Sequence, residues 1–184
     1  RFGGLKPSAV VLVATLRALK MNGGVAKTDL KEENLEALEK GMPNLLRHAS
    51  NIKNVYKLPS VVAINRFPTD TDAEVQLVID QCAKLGIKAI CSTVCAEGSK
   101  GGIELAEEVA RLCETDNDFT FCYEDNLSIE EKIKAIVTKI YGGDNVIFAP
   151  AAKKEIAKLT ELGFSNMPIC MAKTQYSFSD DMTK

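Results

Sequence analysis

The chain of 184 residues reads as an α/β fold: a mainly parallel sheet with helices on both faces, built from alternating βα units. Three observations lead there. Short apolar runs alternate with stretches of helical periodicity. Beyond residue 60, strand starts recur about every 25 to 30 residues, the size of one βα unit. The runs themselves, such as AVVLVAT and VVAI, read as buried strands, and parallel sheets bury their strands between helical layers.

The elements follow in order. Ala9 to Thr15 is a strand, and Ala14 to Met21 turns into a short helix closed by Gly23 and Gly24. Asp29 is expected to cap a helix beginning at Leu30, with Glu32 and Glu33 in its first turn. Gly41 and Pro43 are expected to interrupt it. A second helix then carries Leu45, Leu46, Ala49, Ile52 and Val55, and Pro59 ends it. Val61 to Ile64 is the next strand. Thr71 or Asp72 opens a helix whose inner stripe is Val75, Val78, Ile79, Cys82 and Leu85, closed by Gly86.

Ile87 to Ser92 reads as a strand. A glycine-rich loop, Gly98 to Gly102, leads to a helix over Ile103 to Cys113. Phe119 to Tyr123 alternates like an edge strand. Ser128 and Glu131 form a capping box for a helix through Ile133, Ile136, Val137 and Ile140. Val146 to Ala149 is a short strand, Pro150 opens a helix over Ala151 to Leu162, and Pro168 to Ala172 is the last strand. It delivers the polar stretch Lys173 to Asp181. Two domains are expected: residues 1–142, and residues 143–184 as the start of a following α/β segment.

Composition narrows the function classes. With 23 basic and 25 acidic side chains interspersed, no basic face or polybasic cluster points to nucleic acid or a membrane surface. No apolar run approaches bilayer length. The six cysteines have apolar neighbours, and no export signal is read, so buried reduced thiols are expected. There is no CxxC, and His48 is the one histidine, which argues against a zinc site and against Ser-His-Asp or Cys-His catalysis. The chain begins at Arg1 and stops at Lys184 after a polar loop, and it is expected to be a piece of a longer protein.

The densest chemistry lies in VVAINRFPTDTD, Val61 to Asp72. A buried strand delivers Asn65, Arg66, Phe67, Thr69 and Asp70 to its carboxyl end, where open α/β sheets place their ligands. The residues leave two readings open. The loop is a ligand site, with Phe67 stacking on a flat heterocycle, or it is an ordinary connection in which Phe67 covers the core and Thr69 or Asp70 caps the helix. Asp70 and Asp72 at a helix start serve its dipole or bind a cation. The loop Ala96 to Gly102 similarly offers backbone N–H groups to an anion or simply connects. It matches neither Walker A nor GxGxxG. No GxxxxGKS or GxxxxGKT occurs in the chain.

Taken together, VVAINRFPTDTDAE, GLKPSAVVLVATLRALKMNGG, KIYGG and PICMAKTQYSFSDD resemble the bacterial-type formate–tetrahydrofolate ligases along essentially all 184 residues. The resemblance implies ATP-dependent joining of formate to tetrahydrofolate through formyl phosphate. It implies Mg²⁺ and an activating monovalent cation, a cytoplasmic tetramer, and a chain about three times this length with its Walker-type loop upstream of Arg1. The partners it implies are tetrahydrofolate, formate, ATP and the remainder of the parent chain. The family sandwiches the folate ring between a phenylalanine, matched by Phe67, and a tryptophan whose place is taken by Cys95. The expected folate-side residues are thus Phe67, Asn65, Arg66, Cys95, Glu97 and Gly98, with no catalytic residue and no metal ligand within these residues. The polypeptide alone is expected to lack ligase activity. The alternative is a catalytically inactive folate-binding or scaffold module that has kept the fold.

Overall fold

Strands β1 (Val10–Ala14), β2 (Ser60–Asn65) and β3 (Lys88–Ser92) form a parallel sheet in the order β1-β2-β3. Val11 lies opposite Val61, and Val61 opposite Lys88, so all three carboxyl ends share one edge. The computed structural model describes residues 1, 3–171, 178 and 179. These fall into two compact units, Arg1–Phe119 and Thr120–Lys184, and the sheet belongs to the first.

Helices cover both faces of the sheet. On one side lie α1 (Leu16–Asn22), α2 (Leu35–Ser50) and α3 (Asp72–Lys84). Their Leu16, Leu19, Leu38, Met42, Val78 and Cys82 close a core with Val62 and Ile64. On the other side α5 (Ile103–Cys113) packs Leu105, Val109 and Leu112 on Val61 and Ile90. Each fully buried aliphatic side chain here contributes about 1.5–3 kcal/mol relative to exposure. The cover is incomplete over β1, where Val13 remains 63 % exposed.

The expected break at Gly41 and Pro43 does not occur. α2 runs through both and continues as a wide turn over Asn51–Val55. Gly41 serves close packing instead: a Cβ there would collide with the carbonyl oxygen of Leu19, and one on Gly23 with that of Ala37. The two helices therefore meet backbone to backbone, and that contact overrides the local cost of an internal proline.

Nor does a helix begin at Leu30. Residues 27–32 form turns, and α2 starts at Leu35 with Asn34 as its cap, Oδ1 accepting from the Ala37 N–H at 2.9 Å. The reason lies in a buried ion pair. Lys20 Nζ and Glu74 Oε1 stand 2.8 Å apart with both side chains at 0 % exposure. The same Oε1 accepts from the Asn34 N–H at 3.1 Å, and Lys20 donates to the Glu32 carbonyl at 2.9 Å. The segment is thus tied to an irregular path over the pair. Glu74 Oε2 also accepts from the Thr71 N–H, while Thr71 Oγ1 accepts from the Glu74 N–H, completing a capping box for α3. Burial alone pushes the Glu74 carboxyl up; the bonds from Lys20, Asn34 and Thr71 outweigh it and hold the group below its ordinary value.

In the second unit, Ser128 and Glu131 form the expected capping box of α6 (Ile129–Ile136), which continues as a wide turn over Val137–Tyr141. α7 spans Pro150–Glu161. Among the described residues no strand forms at 119–123, 146–149 or 168–171, where strands are expected; Ala172 and Lys173 to Ser177, with 180–184, lie outside the described residues. These apolar runs find no partner ladder among the described residues. They are tied through side chains: Tyr123 Oη accepts from the Ile169 N–H at 2.8 Å, and Lys139 Nζ donates to the Cys122 carbonyl. Fully buried Lys132 donates to the carbonyls of Ser165 and Met167.

The expectation of uniformly buried thiols is corrected as well. Cys82 and Cys122 are buried and Cys91 is half-buried, but Cys95, Cys113 and Cys170 are exposed because they sit on outward faces and loops. Burial pushes the Cys82 thiol up to about 11. Among the described residues no helix is long and apolar enough to cross a membrane.

Two outcomes test this account. Lys20→Met strands a buried carboxylate and is expected to lower unfolding free energy by about 3–5 kcal/mol in urea titration, with Glu74→Gln added in the double variant recovering part of the loss. The second concerns Glu108, whose carboxyl is held at about 2, chiefly by a hydrogen bond from Arg111, against burial and with help from Lys88. Its folded value lies below its unfolded one, so its stabilisation is complete above pH 4.5 and is lost as pH falls towards about 2. Glu108→Gln is expected to flatten the stability–pH curve in that window, as read by denaturant midpoints at each pH.

Candidate functional site

Three loops meet at the carboxyl edge of the sheet because the strands are parallel. β1 ends at Ala14, β2 at Asn65 and β3 at Ser92. Asn65 pairs with Ser92, and the Arg66 N–H extends the ladder to the Ser92 carbonyl at 3.1 Å. The neighbouring strands therefore place Asn65, Arg66 and Phe67 on one loop and Cys95, Glu97 and Gly98 on the next.

The β2 loop is held by Asp70. This residue is 4 % exposed, and its Oδ2 accepts from the Phe67 N–H at 2.8 Å, while its own N–H donates to the Phe67 carbonyl. The resulting turn fixes where the Phe67 ring stands, half-buried at the rim. Asp70 Oδ1 is buried with no hydrogen-bond partner among the described residues. Arg66 braces the same turn, donating to the Asp70 carbonyl at 3.1 Å and to Asp72 Oδ1 at 2.7 Å. The bond to Asp72 raises the Arg66 guanidinium above its usual value, and burial pushes the nearby Cys91 thiol up against the opposing pull of Arg66. Asp70 Oδ2 and Asp72 Oδ1 are thus engaged within the loop, on the Phe67 backbone and on Arg66.

The β3 loop is more helical than its glycines imply. A short turn, α4 (Val94–Glu97), runs into a tight turn over Gly98–Gly102. The N–H groups of Ala96 and Glu97 both donate to the Thr93 carbonyl at 2.9 Å, so they turn inward. Thr93 Oγ1 donates to Glu97 Oε2 at 2.6 Å. Gly98 has φ 62° and ψ −147°, a conformation a side chain resists, and a Cβ on Gly101 would collide with Thr93. The glycines therefore fold the loop onto itself, and Cys95 is left exposed on its outer side.

One residue escaped sequence reasoning. Arg17, the second residue of α1, reaches across from the β1 loop. Its guanidinium carbon stands 4.2 Å from the centroid of the Phe67 ring, and it donates to Thr69 Oγ1 at 3.3 Å. Only the adjacency of β1 and β2 brings these residues together across 50 positions of sequence.

Clefts of about 270 and 320 Å³ open at the opposite, amino-terminal edge, and both are lined by Lys53, Leu58 and Pro59. Several of their polar groups are committed to the fold: Lys53 donates to the Leu85 carbonyl, and Lys88 and Arg111 clamp Glu108. The carboxyl edge has the denser set of functional side chains and the position that open sheets use for ligands.

The family model described as formate–tetrahydrofolate ligase matches residues 1–184.

The turn itself is testable. Asp70→Ala removes the acceptor of a partly buried N–H and is expected to cost about 1–3 kcal/mol in urea unfolding, with Asp70→Asn costing less because an oxygen acceptor remains.

Proposed function

The chain belongs to the formate–tetrahydrofolate ligase family, and from that premise we propose that it carries the folate-side surface of the ligase, with Phe67 as the stacking platform. The observation that carries this reading is the ring's place: half-buried at the carboxyl edge, on a turn fixed by Asp70 and Arg66. A flat pterin laid on such a ring gains about 0.5–1.5 kcal/mol beyond the area it buries. Asn65, Arg66, Cys95, Glu97 and Gly98 border the same edge. Arg66 acts there through the loop it braces, and Cys95 offers no ring where the family's tryptophan would supply a second face.

In the complete reaction ATP phosphorylates formate to formyl phosphate. The tetrahydrofolate amine then attacks the formyl carbon, the C–N bond forms and phosphate leaves. Electrostatic clamping of the phosphoryl group supplies most of the first step. The 184 residues contain no Walker-type loop for that clamp, so this polypeptide by itself is proposed to show no ligase turnover. The resemblance also brings Mg²⁺, a monovalent cation, a cytoplasmic setting and a tetramer to the full-length enzyme. Among the described residues no group of three or more His, Cys, Asp or Glu gathers as a metal site.

Calorimetric titration of the chain with tetrahydrofolate tests the reading. Phe67→Ala is expected to weaken binding at least about tenfold, through lost stacking and lost buried area. An unchanged dissociation constant would overturn the platform role, and absence of binding by the parent chain favours a scaffold that has lost the ligand.

A further inference from the structure

We propose that Arg17 is a specificity-determining residue of the folate-side surface: it covers one face of the Phe67 ring and tunes the other towards an electron-rich heterocycle. The inference rests on the reading of Phe67 as the platform. A ring has two faces, and a guanidinium 4.2 Å from the centroid occupies one of them. A flat ligand is thereby directed to the opposite face. A cation over an aromatic ring is drawn to the negative potential of its π cloud. It also withdraws density from that cloud, so the opposite face becomes a better partner for an electron-rich ring than for an electron-poor one. A tetrahydropterin, with its saturated pyrazine nitrogens feeding the pyrimidine, is electron-rich. A fully oxidised pterin is not.

The placement of Arg17 suits this role. It is the second residue of α1, whose start is capped by Thr15, Oγ1 accepting from the Ala18 N–H at 3.2 Å. Three residues further on, Lys20 anchors the same helix in the buried pair with Glu74. The stem of Arg17 thus leaves a rigid element, and Thr69 Oγ1 holds its far end over the ring. Its Nε is buried with no hydrogen-bond partner among the described residues, so the ring face and one hydroxyl are what fix the group.

The test compares dissociation constants for tetrahydrofolate and for fully oxidised folate, measured by calorimetry on the same chain. The glutamyl tail is common to both ligands and cancels in the ratio. Arg17→Met keeps an apolar stem and removes the charge; it is expected to weaken tetrahydrofolate about threefold to tenfold and oxidised folate less, so the preference shrinks. Arg17→Lys is expected to restore part of the preference. Thr69→Val, which frees the guanidinium without removing it, is expected to shift the ratio in the same direction by less, and it serves as the probe should Arg17→Met not fold. An unchanged ratio in both Arg17→Met and Thr69→Val overturns the inference, as does equal loss for the two ligands. Phe67→Leu separates the levels: if it leaves both affinities untouched, the platform reading fails; if it weakens both while the Arg17 and Thr69 variants leave the ratio alone, only the role of Arg17 fails.

Discussion

A lysine and a glutamate shut away from water hold the helical side of the sheet together. Lys20 comes from α1 and Glu74 from α3, and the carboxylate also takes the N–H groups of Asn34 and Thr71. One side chain therefore joins the starts of α2 and α3 to the middle of α1. Removing two ions from water costs several kcal/mol each, and the pair persists only because its remaining lone pairs and protons find partners. What the pair gives in return is position. It settles where α2 begins and directs the path of residues 27–34, and it holds α1 at the angle from which Arg17 reaches the ring.

The site is organised by the same economy of fixed partners. Asp70 sets the backbone of Phe67, Arg66 spans the turn to Asp72, and Thr93 with Gly101 folds the neighbouring loop inward. The proposed platform is set by a strand end, a turn and a helix, which is how a small surface acquires a defined orientation for a ligand.

How much of this was legible in the sequence follows the range of the forces involved. The capping box at Ser128 and a helix start at Thr71 or Asp72 were readable because the partners of each cap lie within four residues. So were β1 to β3, whose apolar runs are flanked by helical periodicity on either side. The start of α2 was misread because Asn34 is recruited by Glu74, 40 residues away. Gly41 and Pro43 looked like breakers, since nothing local announces that α1 will press against that face. Phe119 to Tyr123 has the alternation of a strand but pairs with no ladder among the described residues, where Tyr123 Oη takes the Ile169 N–H. The NRFPTD loop stood out from its composition alone. Arg17 did not, because its meaning appears only when β1 lies beside β2.

The touching backbones of α1 and α2 have a consequence for the proposed surface. Neither Gly23 nor Gly41 has room for even a methyl group unless one helix slides away from the other. Such a slide would carry Arg17 away from the Phe67 ring, so two positions remote from the proposed surface bear on its geometry. Any side chain at either position therefore pushes α1 from α2 and shifts the stem from which Arg17 extends.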